Sequence, residues 1–227
     1  PESVDGYFCG GGTEANIEGL WIGREMLNQS VDPFGRGIAV LATPLRHYSI
    51  DKAVDLLGLG KHSNVGICPF CNKEHVFMAD HEGRGLNLVG MDAAGQMSLA
   101  GLEAVFLEKY AQGFRKFLIV GTVGTCLMGS IDPISEIGAF IRDKRRSDLR
   151  ADFYLHVDAS FAGFTVPFVN LELKFGFNVP EVMSVSIDGD KMGRLPYPAG
   201  IFLCRKRLMN LVSRQINYVR GNVDNTL

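Results

Sequence analysis

Phe153-Tyr154-Leu155-His156-Val157-Asp158-Ala159-Ser160 reads as an apolar strand that ends on a carboxylate. Burying such a group unpaired is costly, so Asp158 either caps the following turn from an exposed strand end or meets a buried cation. Short apolar, β-branched runs of the same kind recur at Val4–Cys9, Ile38–Ala42, Phe117–Thr122, Val182–Ile187 and Gly200–Cys204. Between them lie helical patterns. Glu14–Asn28 carries Ile17, Leu20, Trp21 and Leu27 at helical spacing; Ser49–Leu57, Ser98–Tyr110 and Ile134–Arg145 follow, the last opened by Pro133. Strands alternating with helices predict an α/β fold, a mainly parallel sheet sandwiched by helices, with ligands bound at the carboxyl ends of the strands. Lys61–Gly95, rich in Gly, His and Asn, reads as a long excursion between a helix and a strand.

The chain has 227 residues, 46% of them hydrophobic and 21% charged, enough to bury a substantial core. A net charge of −2, with no basic cluster larger than Lys144-Arg145-Arg146, argues against nucleic acid as the main partner. That run suits the solvated C-terminus of a helix. No apolar stretch is long enough for a membrane span and no signal peptide is recognised. The five cysteines do not resemble a disulfide framework, so a reducing cytoplasm is the expected location. The start at Pro1 and the end at Leu227 suggest a piece of a longer polypeptide.

Three chemistries fall at strand ends. Gly10-Gly11-Gly12-Thr13 lies between a strand and a helix, where bare backbone and a helix N-terminus can cradle an anion; the Thr13 hydroxyl offers an N-cap or a further donor. Asp158 can hold a protonated ring nitrogen. Lys191, in Ser184-Val185-Ser186-Ile187-Asp188-Gly189-Asp190-Lys191-Met192-Gly193, presents an amine where a strand bends into a turn. An amine for an aldehyde, backbone donors for a phosphate and a carboxylate for a pyridine nitrogen are the needs of pyridoxal 5′-phosphate. Taken singly, each has a plain reading as a strand-to-helix turn, a capping aspartate or a solvated lysine. His47, which follows the strand Ile38–Ala42, could stack on an aromatic ring or serve structure alone.

In this order along the chain the motifs resemble those of the group II pyridoxal-phosphate-dependent amino-acid decarboxylases, of aminotransferase fold type I. Gly11-Gly12-Thr13-Glu14-Ala15-Asn16 is similar to the phosphate cup and His47-Tyr48-Ser49-Ile50-Asp51-Lys52-Ala53 to the ring-stacking segment. Gly124-Thr125-Cys126, with Gly129-Ser130-Ile131-Asp132-Pro133-Ile134, is similar to the Gly-Thr-Thr strand end and its Asp-Pro turn. His156-Val157-Asp158-Ala159 matches the ring-nitrogen aspartate. Asp188-Gly189-Asp190-Lys191-Met192-Gly193, with Pro196-Tyr197-Pro198-Ala199-Gly200, matches the Schiff-base lysine segment.

The resemblance implies that residues 1–227 form the large cofactor-binding domain, flanked in the whole protein by an N-terminal segment and a C-terminal small domain. It implies decarboxylation of an L-amino acid to an amine and CO2. Lys191, His47 and Asp158 would be catalytic, and Gly11, Gly12, Thr13, His47, Thr125, Cys126, Asp158, Ser160, Asp188 and Lys191 would contact the cofactor. It also implies a homodimer with shared sites and a proton-donating tyrosine on a loop beyond this chain. Three positions depart from the pattern: Asp190 stands where histidine is usual, Ser160 where alanine is, and Cys126 where threonine is. A carboxylate facing a phosphate is repulsive, so Asp190 is expected to point away from the cup or to meet a cation such as Arg194. Rival readings are a carbon–carbon lyase of the sphingosine-phosphate type, for which Arg46 and Arg194 are the few basic candidates, and a non-catalytic interaction module. Within the excursion, Cys68-Pro69-Phe70-Cys71 with His75 and His81 has loose zinc-knuckle spacing, set against a surface hairpin with incidental thiols.

Overall fold

The computed structural model of the protein describes residues 3–59, 63–67, 74–78, 85–147, 150–215 and 223–224. The strands are β1 (Val4–Cys9), β2 (Ile38–Ala42), β3 (Ser63–Ile67), β4 (Glu74–Met78), β5 (Gly85–Leu88), β6 (Lys116–Thr122), β7 (Asp152–Asp158), β8 (Val182–Asp188), β9 (Gly200–Arg205), β10 (Arg214–Gln215) and β11 (Val223–Asp224). The helices are α1 (Gly12–Asn28), α2 (Tyr48–Leu56), α3 (Leu99–Ala111), α4 (Ile134–Arg146) and the single turn α5 (Val166–Val169).

One seven-stranded sheet, ordered β1-β9-β8-β7-β6-β2-β5, organises the molecule. Strands β5, β2, β6, β7 and β8 run parallel; β9 is antiparallel to β8 and to β1. Six carboxyl ends therefore share one edge, where the register sets Thr122 beside Asp158, Asp158 beside Ser186, and Gly200 beside both Cys9 and Asp188. The central strands are covered on both faces, which is why they read as continuous apolar runs. Phe117, Ile119, Phe153, Leu155 and Val157 face α3 and α4, packing with Leu102, Phe106, Ile137 and Ile141. Leu118, Val120, Tyr154 and Phe202 face α1 and α2, packing with Leu20, Ile22, Ile50 and Val54.

The expected α/β sandwich is present, with one correction and one addition at its edges. Helix α1 begins at Gly12 rather than Glu14, with Gly11 as its N-cap and no side-chain cap, so Thr13 lies inside the helix and does not cap it. The long excursion after α2 also contributes regular structure that the sequence reading did not place, the antiparallel β3–β4 pair and the sheet's edge strand β5. Of the loose zinc spacing, Cys68, Cys71 and His81 lie outside the described residues, and His75 is described only as part of β4. Among the described residues no cluster of His, Cys, Asp and Glu is placed to hold a metal, and no helix is long and apolar enough to cross a membrane. Lys144, Arg145 and Arg146 do form the last turn of α4; Lys144 pairs with Glu103 at 2.6 Å and Arg145 donates to the Phe153 carbonyl.

Candidate active site

The strand alternation that buries Phe153, Leu155 and Val157 on one face places Tyr154, His156 and Asp158 on the other, toward α1. On β8 the same period sets Ser184, Ser186 and Asp188 beside them, a register shift near Leu155 bringing Ser184 opposite His156. Facing both strands is one ridge of α1, in which Gly12, Asn16, Gly19 and Gly23 recur at helical spacing. A Cβ at Gly19 would lie 2.4 Å from the His156 ring, so only glycine lets the helix approach this closely.

Asn16 joins most of the buried polar groups in that seam. Asn16, with no exposed surface, donates from Nδ2 to Asp158 Oδ2 at 2.9 Å and to Ser49 Oγ at 2.8 Å. Its Oδ1 accepts from Ser186 Oγ at 2.5 Å and from His156 Nε2 at 3.0 Å. The acceptor-only carboxylate of Asp158 fixes which end of the amide is nitrogen, and the rest follows in one direction. His156 must carry its proton on Nε2, so Nδ1 accepts from Ser184 Oγ at 2.7 Å, and Ser184 in turn accepts from the Tyr154 hydroxyl at 2.8 Å. Burial lowers the His156 pKa to about 4, against the opposing pull of Asp158, so the ring is neutral.

Asp158 is 3% exposed, and Oδ1 also accepts from the Ser160 amide at 3.0 Å; it caps the turn and is buried as well. His47 is the N-cap of α2, its Nδ1 accepting from Ser49 N at 3.3 Å and from Ser49 Oγ at 2.8 Å. Burial lowers its pKa; Asp158 opposes that shift while Lys191 and Lys52 reinforce it.

A cleft lined by His47, Thr122, Thr125, Cys126, Asp158, Ser160 and Lys191 brings the ring-site candidates together. Thr125 is buried and bonded to Ser130 Oγ at 2.8 Å, whereas the Cys126 thiol is exposed. Asp132 secures this loop by accepting from the Thr122 amide and the Met97 amide, both at 2.7 Å; burial raises its pKa. A neighbouring cavity of about 400 Å³, which also includes His47 and Lys191, is lined by Gly10, Gly11, Gly12, Thr13, Glu14 and Asp188. Every candidate site residue of the sequence reading outside the zinc spacing thus lines one of two spaces that have His47 and Lys191 in common.

The cradle suits a phosphate. Gly11 sits at φ +153°, a Cβ at Gly12 would press within 2.7 Å of Ser160 Oγ, and the N-cap Gly11 has no side chain to occupy the first-turn amides of α1, of which Gly12 N–H is engaged by Asp188. Asp188 Oδ2 lies 3.7 Å from Lys191 Nζ, while Oδ1 is buried with no hydrogen-bond partner. Burial raises the Asp188 pKa, and the hydrogen bond and charge of Asp190 raise it further, against Gly12 N–H and Lys191. The Asp190 carboxyl is thereby turned toward Asp188; the residue is exposed and is not among those lining the 400 Å³ cavity.

Asn16, Ser49, His156, Ser184 and Ser186 were not singled out by the sequence. For His156, Ser184 and Ser186 the signal is polar residues at period two on strands that are otherwise core; Asn16 and Ser49, on α1 and α2, carry no such pattern.

Residues 71–224 match the pyridoxal-dependent decarboxylase conserved domain. A tryptophan decarboxylase of Clostridium sporogenes is 31% identical over 227 residues, 100% of this chain and 47% of that protein. A probable L-tyrosine/L-aspartate decarboxylase of Methanopyrus kandleri is 34% identical over 205 residues, 88% of this chain and 42% of that protein. The chain spans about half the length of the curated relatives it matches. An L-methionine decarboxylase of Streptomyces sp. 590, solved as a structure, shares the fold at a TM-score of 0.71 and 19% identity, over 100% of this chain and 55% of that one. Since the conserved domain takes in most of its length, the chain belongs to the pyridoxal-dependent decarboxylase family.

Proposed function

We propose that the chain is the large cofactor-binding domain of an enzyme that uses pyridoxal 5′-phosphate to decarboxylate an L-amino acid, giving an amine and CO2. The observation that carries the reading is that Lys191, Asp158, His47 and the uncapped start of α1 meet at one sheet edge. When bound, the cofactor supplies an aldehyde and an electron-withdrawing ring that stabilises the charge left on a carbon losing its carboxylate. Lys191 would hold the aldehyde, and the Asp188 carboxyl, its pKa raised by burial, lies 3.7 Å from its amine. Asp158 would keep a proton on the ring nitrogen; His47 would lie against the ring, with Thr125, Cys126 and Ser160 around it; Gly11, Gly12 and Thr13 would take the phosphate. Curated relatives that are decarboxylases favour this over a carbon–carbon lyase. Arg46, a candidate for a second phosphate, is already paired with Asp51 at 2.5 Å.

A homodimer with shared sites and a cytoplasmic location belong to the same proposal. Phe168 (82%), Val169 (80%) and Leu171 (83%) are exposed together around α5, an apolar cluster that supports an interface. Borohydride reduction of the full-length protein with pyridoxal 5′-phosphate, followed by peptide mapping, is expected to place the adduct on Lys191. An adduct on Lys52, Lys174 or Lys206 instead would overturn the assignment.

A further inference from the structure

We infer that Asn16 is the positioning residue of this site, one amide group whose two N–H bonds set Asp158 and His47 on either side of the same space. One N–H reaches Asp158 Oδ2 directly. The other reaches Ser49 Oγ, whose own proton then has His47 Nδ1 as its acceptor at 2.8 Å. Asp158 ends a strand and His47 opens a helix, and neither is fixed relative to the other by the backbone of its own element. The amide couples them. Its carbonyl is held just as firmly by Ser186 and His156, so rotation about the side chain of this fully buried residue would break four hydrogen bonds at once.

The position in α1 adds a third coupling. Gly12, at the anion cradle, lies four residues before Asn16 on the same helix face, so a rigid helix fixes the phosphate end and the ring end together. Both donors of the amide are spent on this task. The ring of His47 is therefore held with Nδ1 as acceptor and its proton on Nε2.

The catalytic consequence rests on the cofactor reading above; the hydrogen-bond claim does not, and two measurements separate them. In the full-length protein without cofactor, 15N chemical shifts should show His47 as the Nε2–H tautomer. In Asn16→Asp, which keeps the shape and the acceptor but loses the donors, that preference should weaken. The same variant should bind pyridoxal 5′-phosphate at least about tenfold more weakly and lose kcat more than KM, since charge-assisted bonds of this kind are worth about one to two decades. Tyr154→Phe removes the far end of the same buried chain and is the stability control. It should lower the melting temperature while leaving cofactor affinity and the His47 signals as in the parent. If Asn16→Asp does not fold, Asn16→Ser, which removes the amide without adding charge, is read the same way. A folded Asn16 variant with parental His47 tautomer and parental cofactor affinity would overturn the inference. A parent that shows the tautomer but never binds the cofactor would overturn the proposed function instead.

Discussion

At the scale of single residues, Asp158 is the carboxylate whose charge matters most. Asp158→Asn keeps the shape, but its single amide oxygen can accept from only one of Asn16 and the Ser160 amide, so thermal stability should fall by about 1–3 kcal/mol. The loss of the anion beside the ring nitrogen should lower kcat by at least about a hundredfold, measured by amine release. A variant with parental kcat would show that this carboxylate has no part in the chemistry. Asp190 is the second case. Because it is exposed and bonded toward Asp188, Asp190→His should leave cofactor affinity unchanged or improved in a titration. Weakening beyond tenfold would assign Asp190 a constructive role. Lys191 and Asp158 were legible in the sequence because a lone amine and a lone carboxylate at the ends of apolar runs demand an explanation. Asn16 was quoted only as part of a motif, since an amide on a helix is unremarkable until the strands that face it are known.

At the scale of elements, the seat of α1 on β7 and β8 depends on its glycine ridge. Gly19→Ala would drive a Cβ into a buried ring that already holds hydrogen bonds on both nitrogens, leaving it little room to yield. The expected loss is about 1–3 kcal/mol of stability in a denaturant melt, with weaker cofactor binding because His156 supports Asn16. An unchanged melt would mean the helix can lift without cost. The six runs read as strands in the sequence are all strands, because two-sided burial leaves an apolar run few other readings. What propensity could not give was the glycine start of α1, where the sheet edge rather than the residues imposes helix, and β5, whose pairing with β2 is non-local.

At the scale of the whole molecule, Glu18 joins the site's helix to the global pH response. It is fully buried on α1, and burial raises its pKa from 4.5 to about 7, with nearby Tyr7 tempering the shift and Glu14 and Asp224 adding to it. The folded chain therefore holds a proton that the unfolded chain has released between those two values. Stability should fall as pH rises from about 4.5 toward about 7 and level off beyond. Glu18→Gln should flatten that slope and raise the melting temperature at pH 8; an identical profile in parent and variant would remove Glu18 from the account.

The antiparallel pairing of β1 with β9 bears on how the protein is made. The glycine cradle follows β1, whose hydrogen-bonding partner is β9, so the strand that leads into the cradle has no neighbour to pair with until Gly200–Arg205 has left the ribosome. At about 5–20 residues per second that wait is of the order of ten seconds or more, with β1 unpaired throughout. A nascent chain would thus own its lysine about when it first owned the strand that anchors the phosphate cradle, and cofactor capture would wait on β9.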